Sequence, residues 1–483
     1  MMSKFIKLNQ LNGNQRYSKG ISSHYFYLTL ESLLLGGILF LILLANIGLL
    51  RLPIQLLVGL IFAVVGLSLF FQWSSGHSPL WNTRNFIFLG VLFWVLLDPL
   101  RMREGIDEFS YDIAVETLLY VGIFMAMVCL GYSFPPCRAV GWAFSKIQEP
   151  RNSRQVFWSI VVVYLIGISP ILYYSQGSVS LFWKVLLAGY SPTGDPYWRR
   201  VALGGSREFL ISFVRFFFLA APFLTTWALK KIAISRCQKM ILLFMVISIL
   251  IILFFEGVRF IFGFVVMGLF LYLYAAMSPT KRRRWLILVL LGIAMSLWLM
   301  QVMVTYRAIG FYAIDIGAVD ARLTHFHTDN NFYWLATAVK VMPEQFSFTN
   351  KWPFLYIFIH PIPRFLWPEK PASEGFPFIT WDERGGETLT SSIIGDFYMA
   401  QGILGVIVVG LVYGWIARNW DQIVRMASGG NIHTLIYYVG VMLIFLGGRT
   451  FDTFVTQWYV GILIIAFAYY LGRKEGKRYI IHK

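Results

Sequence analysis

Charged side chains lie in or beside short turns between long apolar segments of this chain. The stretch FFEGVRF holds Glu256 and Arg259, and the stretch LGGRTFD holds Arg449 and Asp452. Arg215 lies inside an apolar segment, where ionisable residues are costly and mark functional sites by default. Arginine suits phosphate groups because its planar fork donates two parallel hydrogen bonds. These residue types therefore indicate the binding of a phosphate-bearing ligand, provided that the fold brings them together.

The composition predicts the class of fold that has to bring these charged residues together. Of the 483 residues, 58% are hydrophobic and 13% are charged, whereas a soluble domain is about half apolar and a quarter charged. A membrane-spanning helix needs about 20 apolar residues. The sequence thus predicts an all-α polytopic membrane protein, a single domain over residues 1–483 with about 12 transmembrane helices. The predicted spans are 33–50, 53–71, 86–100, 113–131, 156–174, 209–229, 240–255, 260–277, 285–304, 397–417, 432–446 and 454–471.

Lysine and arginine are concentrated in alternate loops, which marks those loops as cytoplasmic. This pattern places both termini in the cytoplasm, with the first span as its own anchor and no cleaved signal peptide. The net charge of +17 then reflects topology, and we expect no nucleic-acid partner because no basic patch is interleaved with stacking aromatics. The three cysteines indicate no disulfide framework. Two long segments lie outside, at 174–208 and 306–396, and the second is a large external loop with short helices.

The large external loop contains the stretch PIPRFLWPEKP, in which four prolines stiffen the backbone around Arg364, Trp367, Glu369 and Lys370. One reading is structural, with the prolines bracing a turn and Trp367 in the aromatic belt at the membrane surface. The other reading is a binding loop, because rigidity alone does not require two cations there. The preceding stretch WPFLYIFIHP is too short to span and is predicted to lie in the interface or to re-enter the membrane.

With this orientation, separate segments deliver arginines to the outer face at similar depth. A set of arginines there predicts a site for a lipid diphosphate whose tail lies in the bilayer. The alternative is snorkelling and interfacial pairing, such as Glu256 with Arg259, and for Arg384 a surface ion pair with its acidic neighbours. The arginines concerned are Arg215, Arg259, Arg307, Arg364, Arg384 and Arg449.

Two stretches carry a resemblance to a known family. PIPRFLWPEKP, followed by TSSIIGDFYMAQGILGVIVVG, resembles the bacterial oligosaccharide repeat-unit polymerases of the O-antigen polymerase (Wzy) type. That family shows an arginine before a Pro-Lys-Pro-like element in its large external loop, then a Ser/Thr-rich stretch, a Gly-acid-aromatic element and a glycine-rich span. FEGVRFIFGF resembles the family's Gly-Ser-Arg-Gly element in part, with Val258 in place of the serine and Phe260 in place of the glycine.

The resemblance implies a glycosyltransferase-type reaction. A glycan linked to undecaprenyl diphosphate is transferred onto the sugar hydroxyl of a single lipid-linked repeat unit at the outer face of the bacterial inner membrane. It implies no cofactor or metal, and it leaves room for a flippase and a chain-length regulator as partners. The leaving diphosphate needs fixed cations, for which Arg259, Arg364 and Arg449 are the candidates.

The other roles in this reaction stay open between several residues. The attacking hydroxyl must lose a proton to a base, and four carboxylates compete: Glu256, Asp396, Glu369 and Asp452. Further cations for substrate binding are Arg215, Arg307, Lys370 and Arg384. Flat faces for the sugars are offered by Phe365, Trp367, Phe378 and Trp381.

Three other classes compete with a polymerase. An O-antigen ligase shares the donor and the large loop. A flippase or transporter of lipid-linked sugars also needs a cationic cavity, although such folds usually show two related halves. Multi-span lipid-to-sugar glycosyltransferases usually carry an acidic pair in the first outer loop, and REGIDEFSYD places acids in the second. A metal site at His325, His327 and Asp329 is disfavoured, because the sequence has no matching second cluster and zinc sites usually need three or four ligands.

Overall fold

The structure is a computed structural model that describes residues 33–74, 79–100, 109–150, 152–187, 205–278, 281, 291–292, 294–303, 330–350, 353–359, 362, 366–367, 369 and 391–481. Every regular element in these residues is a helix. The longer helices are α1 (Leu33–Asn46), α2 (Ile54–Ser74), α3 (Thr83–Leu100), α4 (Tyr111–Ser133), α5 (Arg138–Ser145), α6 (Ser153–Tyr174), α7 (Val179–Leu187), α8 (Gly205–Lys231), α9 (Arg236–Glu256), α10 (Arg259–Ala275), α11 (Ala294–Met303), α12 (Asn331–Val341), α13 (Ser392–Trp420), α14 (Ile432–Gly447) and α15 (Phe451–Ile481).

The predicted class of an all-helical protein suited to a membrane is confirmed for the described part. Eight helices are long and apolar enough to cross a membrane: α2, α3, α4, α6, α8, α9, α13 and α15. The other four predicted spans coincide with the shorter apolar helices α1, α10, α11 and α14. The total of twelve spans and the orientation of the bundle stay predictions.

Two backbone-to-backbone contacts hold the α4–α13 pair together. A Cβ atom at Gly131 of α4 would lie 2.0 Å from the carbonyl oxygen of Leu411 in α13. A Cβ atom at Gly414 of α13 would lie 2.2 Å from the carbonyl oxygen of Val128 in α4. Small residues at helix interfaces let membrane helices approach closely. The α4–α13 pair is therefore closely packed, backbone against backbone.

Helix α13 is broken about a third of the way along its length. Gly402 has φ 59° and ψ −143°, which interrupts the helical hydrogen bonding. The carbonyl groups of Met399 and Ala400 instead accept hydrogen bonds from the backbone N–H groups of Thr349 and Asn350, both at 3.0 Å. Buried backbone groups must be satisfied internally in a membrane. A segment from the predicted external loop thus completes the hydrogen bonding of a candidate membrane helix.

The same loop contributes a buried helix to the bundle. Helix α12 packs against α4 and α13, and Phe332, Leu335 and Ala338 are fully buried. The predicted external loop 306–396 includes this helix. In the structure, α12 is packed into the core, next to the break in α13.

We expect Gly402→Ala to lower the free energy of unfolding by about 1–3 kcal/mol, because residues with a Cβ avoid this backbone conformation. The added Cβ would also lie 3.0 Å from the Phe348 ring. Thermal unfolding in detergent measures the effect. Gly59→Ala in α2 is the matched control, since its Cβ meets nothing within 4 Å; it should be neutral or stabilising by about 1 kcal/mol. Equal effects of the two substitutions would contradict the strain at Gly402.

Candidate functional site

Two tight turns lie at the same end of the bundle, which we call the turn end. The first turn joins α9 to α10 through Gly257, whose φ of 72° ends α9 in the left-handed conformation that glycine adopts readily. The second turn, at residues 448–450, joins α14 to α15. Glu256 and Arg259 flank the first turn, and Arg449 lies in the second, as the sequence analysis predicted for tight turns.

Arg449 links the two turns directly. Its guanidinium carbon lies 4.3 Å from the centroid of the Phe260 ring in α10, a distance that allows cation–π attraction. Its Nη1 donates a hydrogen bond of 3.0 Å to Thr453 Oγ1 in α15. The guanidinium group of Arg449 is therefore held at a defined place between α10 and α15, and its N–H donors lie along the edge of the planar group.

Arg215 of α8 forms an ion pair with Glu256 at the end of α9. The two side chains are 12% and 4% exposed, so water screens the pair weakly. A carboxylate at the C-terminal end of a helix faces the negative end of the helix dipole, which Arg215 offsets. This ion pair joins two helices, α8 and α9, whereas the pairing of Glu256 with Arg259 considered from the sequence is a local one. Arg215 and Arg449 thus both contact one five-residue stretch, 256–260.

Asp396, near the start of α13, accepts three hydrogen bonds. Its Oδ2 accepts from Thr450 Oγ1 at 2.8 Å and from the backbone N–H of Phe451 at 2.8 Å. Its Oδ1 accepts from Ser391 Oγ at 3.1 Å. A carboxylate at the first N–H of a helix is favourable for the helix dipole. Asp396 therefore fixes the start of α15 and the turn that carries Arg449.

We call Arg215, Glu256, Arg259, Asp396 and Arg449 the turn cluster. The contacts above connect four of its members across five helices, and Arg259 begins α10 in the stretch that Arg215 and Arg449 contact. All five residues are candidates from the sequence alone. The groups that hold them are not, because Phe260, Thr450 and Ser391 carry no charge, and Phe260 and Thr450 are distant in sequence from Arg449 and Asp396, respectively.

The structure describes only part of the other candidates. Asp452 lies in the first turn of α15, next to the turn cluster, while Trp367 is 38% exposed and Glu369 is exposed. Among the described residues, no group of three metal-ligating side chains occurs. The candidates that lie outside the described residues are Arg307, Arg364, Lys370, Arg384, Phe365, Phe378, Trp381, His325, His327 and Asp329.

The opposite end of the bundle holds two further charged residues, the buried Arg84 and the half-buried Asp421, which are not among the candidates from the sequence. Asp421, just after α13, accepts hydrogen bonds from Thr83 Oγ1 and Tyr132 Oη, both at 2.5 Å, and from Tyr437 Oη at 3.3 Å. Arg84 is 1% exposed, with its guanidinium 5.6 Å from the Tyr132 ring centroid. Both residues could have been noticed in the sequence, because each charge flanks a predicted span. The network ties α3, α4, α13 and α14 together.

A cavity of about 530 Å³ also lies at the opposite end, and its lining includes Glu149, Lys231, Asn431 and His433. Glu149 already accepts hydrogen bonds from Trp227 Nε1 at 3.1 Å and from the backbone N–H of Ile432 at 2.8 Å. The Asn431 side chain caps α14. These polar groups serve the packing of α8 and α14, so the turn cluster is the stronger candidate for a functional site.

We expect Glu256→Gln to lower the free energy of unfolding by about 3 kcal/mol, since it leaves the Arg215 charge without its carboxylate in a weakly solvated place. Heat unfolding in detergent measures this. The exposed Glu344→Gln is the control and should change little. Replacing both partners, with Arg215→Met and Glu256→Leu, should cost less than the single change. A single variant as stable as the control would mean that the ion pair contributes nothing.

No protein-family model, no curated protein and no solved structure matches this chain. The turn cluster and the residues quoted from the sequence are therefore the grounds on which a function is proposed.

Proposed function

We propose that this protein is a polysaccharide polymerase of the bacterial inner membrane. It transfers a glycan from undecaprenyl diphosphate onto a lipid-linked oligosaccharide repeat unit at the outer face. The products would be surface polysaccharides of the cell envelope, such as O-antigen or exopolysaccharide. The proposal rests on the turn cluster and on the resemblance of the loop and the start of α13 to repeat-unit polymerases.

The single observation that carries the proposal is the convergence of two arginines on the stretch 256–260. Arg215 reaches it from α8 through Glu256, and Arg449 reaches it from the α14–α15 turn through Phe260. Arg259 lies within the same stretch. The turn cluster holds three guanidinium groups and two carboxylates, of which Glu256 pairs with Arg215 and Asp396 is hydrogen-bonded to the α14–α15 turn. The guanidinium donors of Arg259 and Arg449 are the groups that suit a diphosphate at the edge of a membrane.

The reaction needs this positive charge when the diphosphate leaves. The acceptor hydroxyl attacks the anomeric carbon of the donor sugar, the bond to the diphosphate oxygen breaks, and the hydroxyl proton passes to a base. Negative charge grows on the departing diphosphate, and fixed cations that stabilise it often supply the largest part of catalysis. Arg449 is the strongest candidate for this role, because its contacts with Phe260 and Thr453 fix its position.

The contacts of the carboxylates narrow the choice of base. Glu256 is engaged with Arg215, and Asp396 accepts three hydrogen bonds that hold the backbone. Both are better suited to positioning than to proton transfer. Asp452 and Glu369 remain as candidates for the base, the first beside the turn cluster and the second in the external loop.

The test is to delete the gene in its host and to profile surface polysaccharide together with undecaprenyl-linked sugars. Loss of long polymer with accumulation of single repeat units at the outer face would support a polymerase. Long polymer that persists on its lipid carrier without reaching lipid A would indicate a ligase. Single units trapped at the cytoplasmic face would indicate a flippase and refute the proposal. Complementation with the wild-type gene is the control.

A further inference from the structure

The short helical segment at residues 353–359 is fixed to the bundle by its inner side. The Phe354 ring lies 4.6 Å from the Phe397 ring of α13 and 5.6 Å from the Phe451 ring of α15, centroid to centroid. Tyr459 Oη of α15 donates a hydrogen bond of 2.8 Å to the carbonyl oxygen of Ile357. The segment therefore lies against two helices that are long and apolar enough to cross a membrane.

The outer side of the same segment is apolar and exposed. Leu355 is 59% exposed and Phe358 is 76% exposed, and their spacing of three residues is that of one helix face. Beyond the helical segment, Ile362 is 36% exposed and Leu366 is 68% exposed. Exposed apolar surface costs about 25 cal/mol per Å² in water, and a continuous patch marks a membrane or protein interaction site.

The neighbouring surface indicates what covers this patch. Tyr459, which holds Ile357, also lies 5.2 Å from the Phe216 ring of α8, centroid to centroid. One turn earlier on α8, Phe213 is 47% exposed, and Leu210 is 59% exposed. Tyr459 thus contacts both the segment and α8, each of which has exposed apolar side chains, and residues 213–231 of α8 are a candidate membrane span. Residues 353–359 contain no charged side chain, so nothing on this face opposes contact with hydrocarbon.

We propose that residues 353–359 dock on the bilayer, with Leu355 and Phe358 in the boundary between the headgroups and the acyl chains. Interfacial helices bury their apolar face by about 5–10 Å in this way. The occupant of the patch is lipid, not a second copy of the chain and not another part of the external loop. The docking does not depend on the polymerase reaction.

Spin labels on the full-length protein test this proposal. The three native cysteines, Cys129, Cys137 and Cys237, are replaced by serine, and single cysteines are introduced by Phe358→Cys or Leu355→Cys. The labelled protein is reconstituted in vesicles of phosphatidylethanolamine and phosphatidylglycerol. Power saturation then measures collisions with oxygen, which is enriched in hydrocarbon, and with a nickel chelate, which stays in water.

Two matched positions calibrate the result. Phe244→Cys, in the middle of α9 at a side chain 67% exposed, reports hydrocarbon, and Glu344→Cys, at an exposed side chain, reports water. We expect the labels at 355 and 358 to collide with oxygen as the Phe244→Cys label does and to lose the nickel effect seen at Glu344→Cys. Nickel collisions like those at Glu344→Cys would overturn the proposal. Shielding from both reagents would also overturn it, since protein would then cover the patch.

Discussion

Arg449→Ala is expected to lower the rate of glycan transfer by about 100- to 1,000-fold, the loss typical when one fixed donor to a developing anion is removed. The arginine contacts Phe260 and Thr453 from a turn that Asp396 holds in place. Its position is therefore set before substrate binds, and preorganised charge is what stabilises a leaving diphosphate. Substrate binding should weaken less than the rate, because the charge on the diphosphate grows during the reaction.

Complementation of the deletion strain measures this effect. Cells with Arg449→Ala should accumulate single lipid-linked repeat units and lack long polymer, with protein at the wild-type level. Arg449→Lys should restore part of the activity, because lysine keeps the charge but loses the planar fork and its stacking on Phe260. Arg236→Ala is the matched control: this exposed arginine begins α9 at the opposite end of the bundle. Full polymer with Arg449→Ala would remove Arg449 from the reaction.

Most helices of the fold could be predicted from the sequence, because apolar length alone decides whether a segment can cross a bilayer. Each of the twelve predicted segments overlaps a helix of the described part. Helix α12 could not be recognised as part of the core in this way. Eleven residues are too short to span, and its burial depends on the break at Gly402 and on contacts with α4 and α13.

The residues of the turn cluster could be predicted from the sequence, but the contacts between them could not. Charge next to a tight turn marked Glu256, Arg259 and Arg449 in the sequence. The pairing of Arg215 with Glu256 joins residues 41 positions apart, whereas local spacing indicates only neighbours such as Arg259. Hydrogen bonds to Asp396 come from residues 54 and 55 positions away, one of them from a backbone N–H that any residue type provides. Such partners follow from tertiary packing, which a single sequence does not reveal.

One helix connects these features. Near its start, α13 carries Asp396 in contact with the α14–α15 turn, and just past its end lies Asp421 in the buried network of the opposite end. Between them, the break at Gly402 receives the backbone of Thr349 and Asn350. Helix α13 therefore contacts the predicted external loop, the core and the turn cluster. A substitution that displaces α13 should also displace Arg449.

Asp396→Asn and Asp396→Ala are expected to differ strongly. Thr450 Oγ1 and the Phe451 N–H both donate to the same carboxylate oxygen, and one amide oxygen of asparagine can accept both bonds. The Ser391 hydroxyl can turn to accept from the amide nitrogen. Asparagine thus keeps all three contacts. Alanine removes them and leaves buried donors unsatisfied, at a cost of about 1–3 kcal/mol each.

Transfer activity of the two variants separates a positioning residue from a general base. If Asp396 only holds the turn of Arg449, Asp396→Asn should stay within about tenfold of wild type, because asparagine preserves the geometry and only the catalytic loss of a base reaches about 100- to 10,000-fold. Asp396→Ala, and to a smaller degree Thr450→Val, should lose activity together with thermal stability. The exposed Glu344→Ala should change neither. An Asp396→Asn variant as stable as wild type but as inactive as Asp396→Ala would instead make Asp396 the base, because an amide can fill the place of the carboxylate but cannot take the proton.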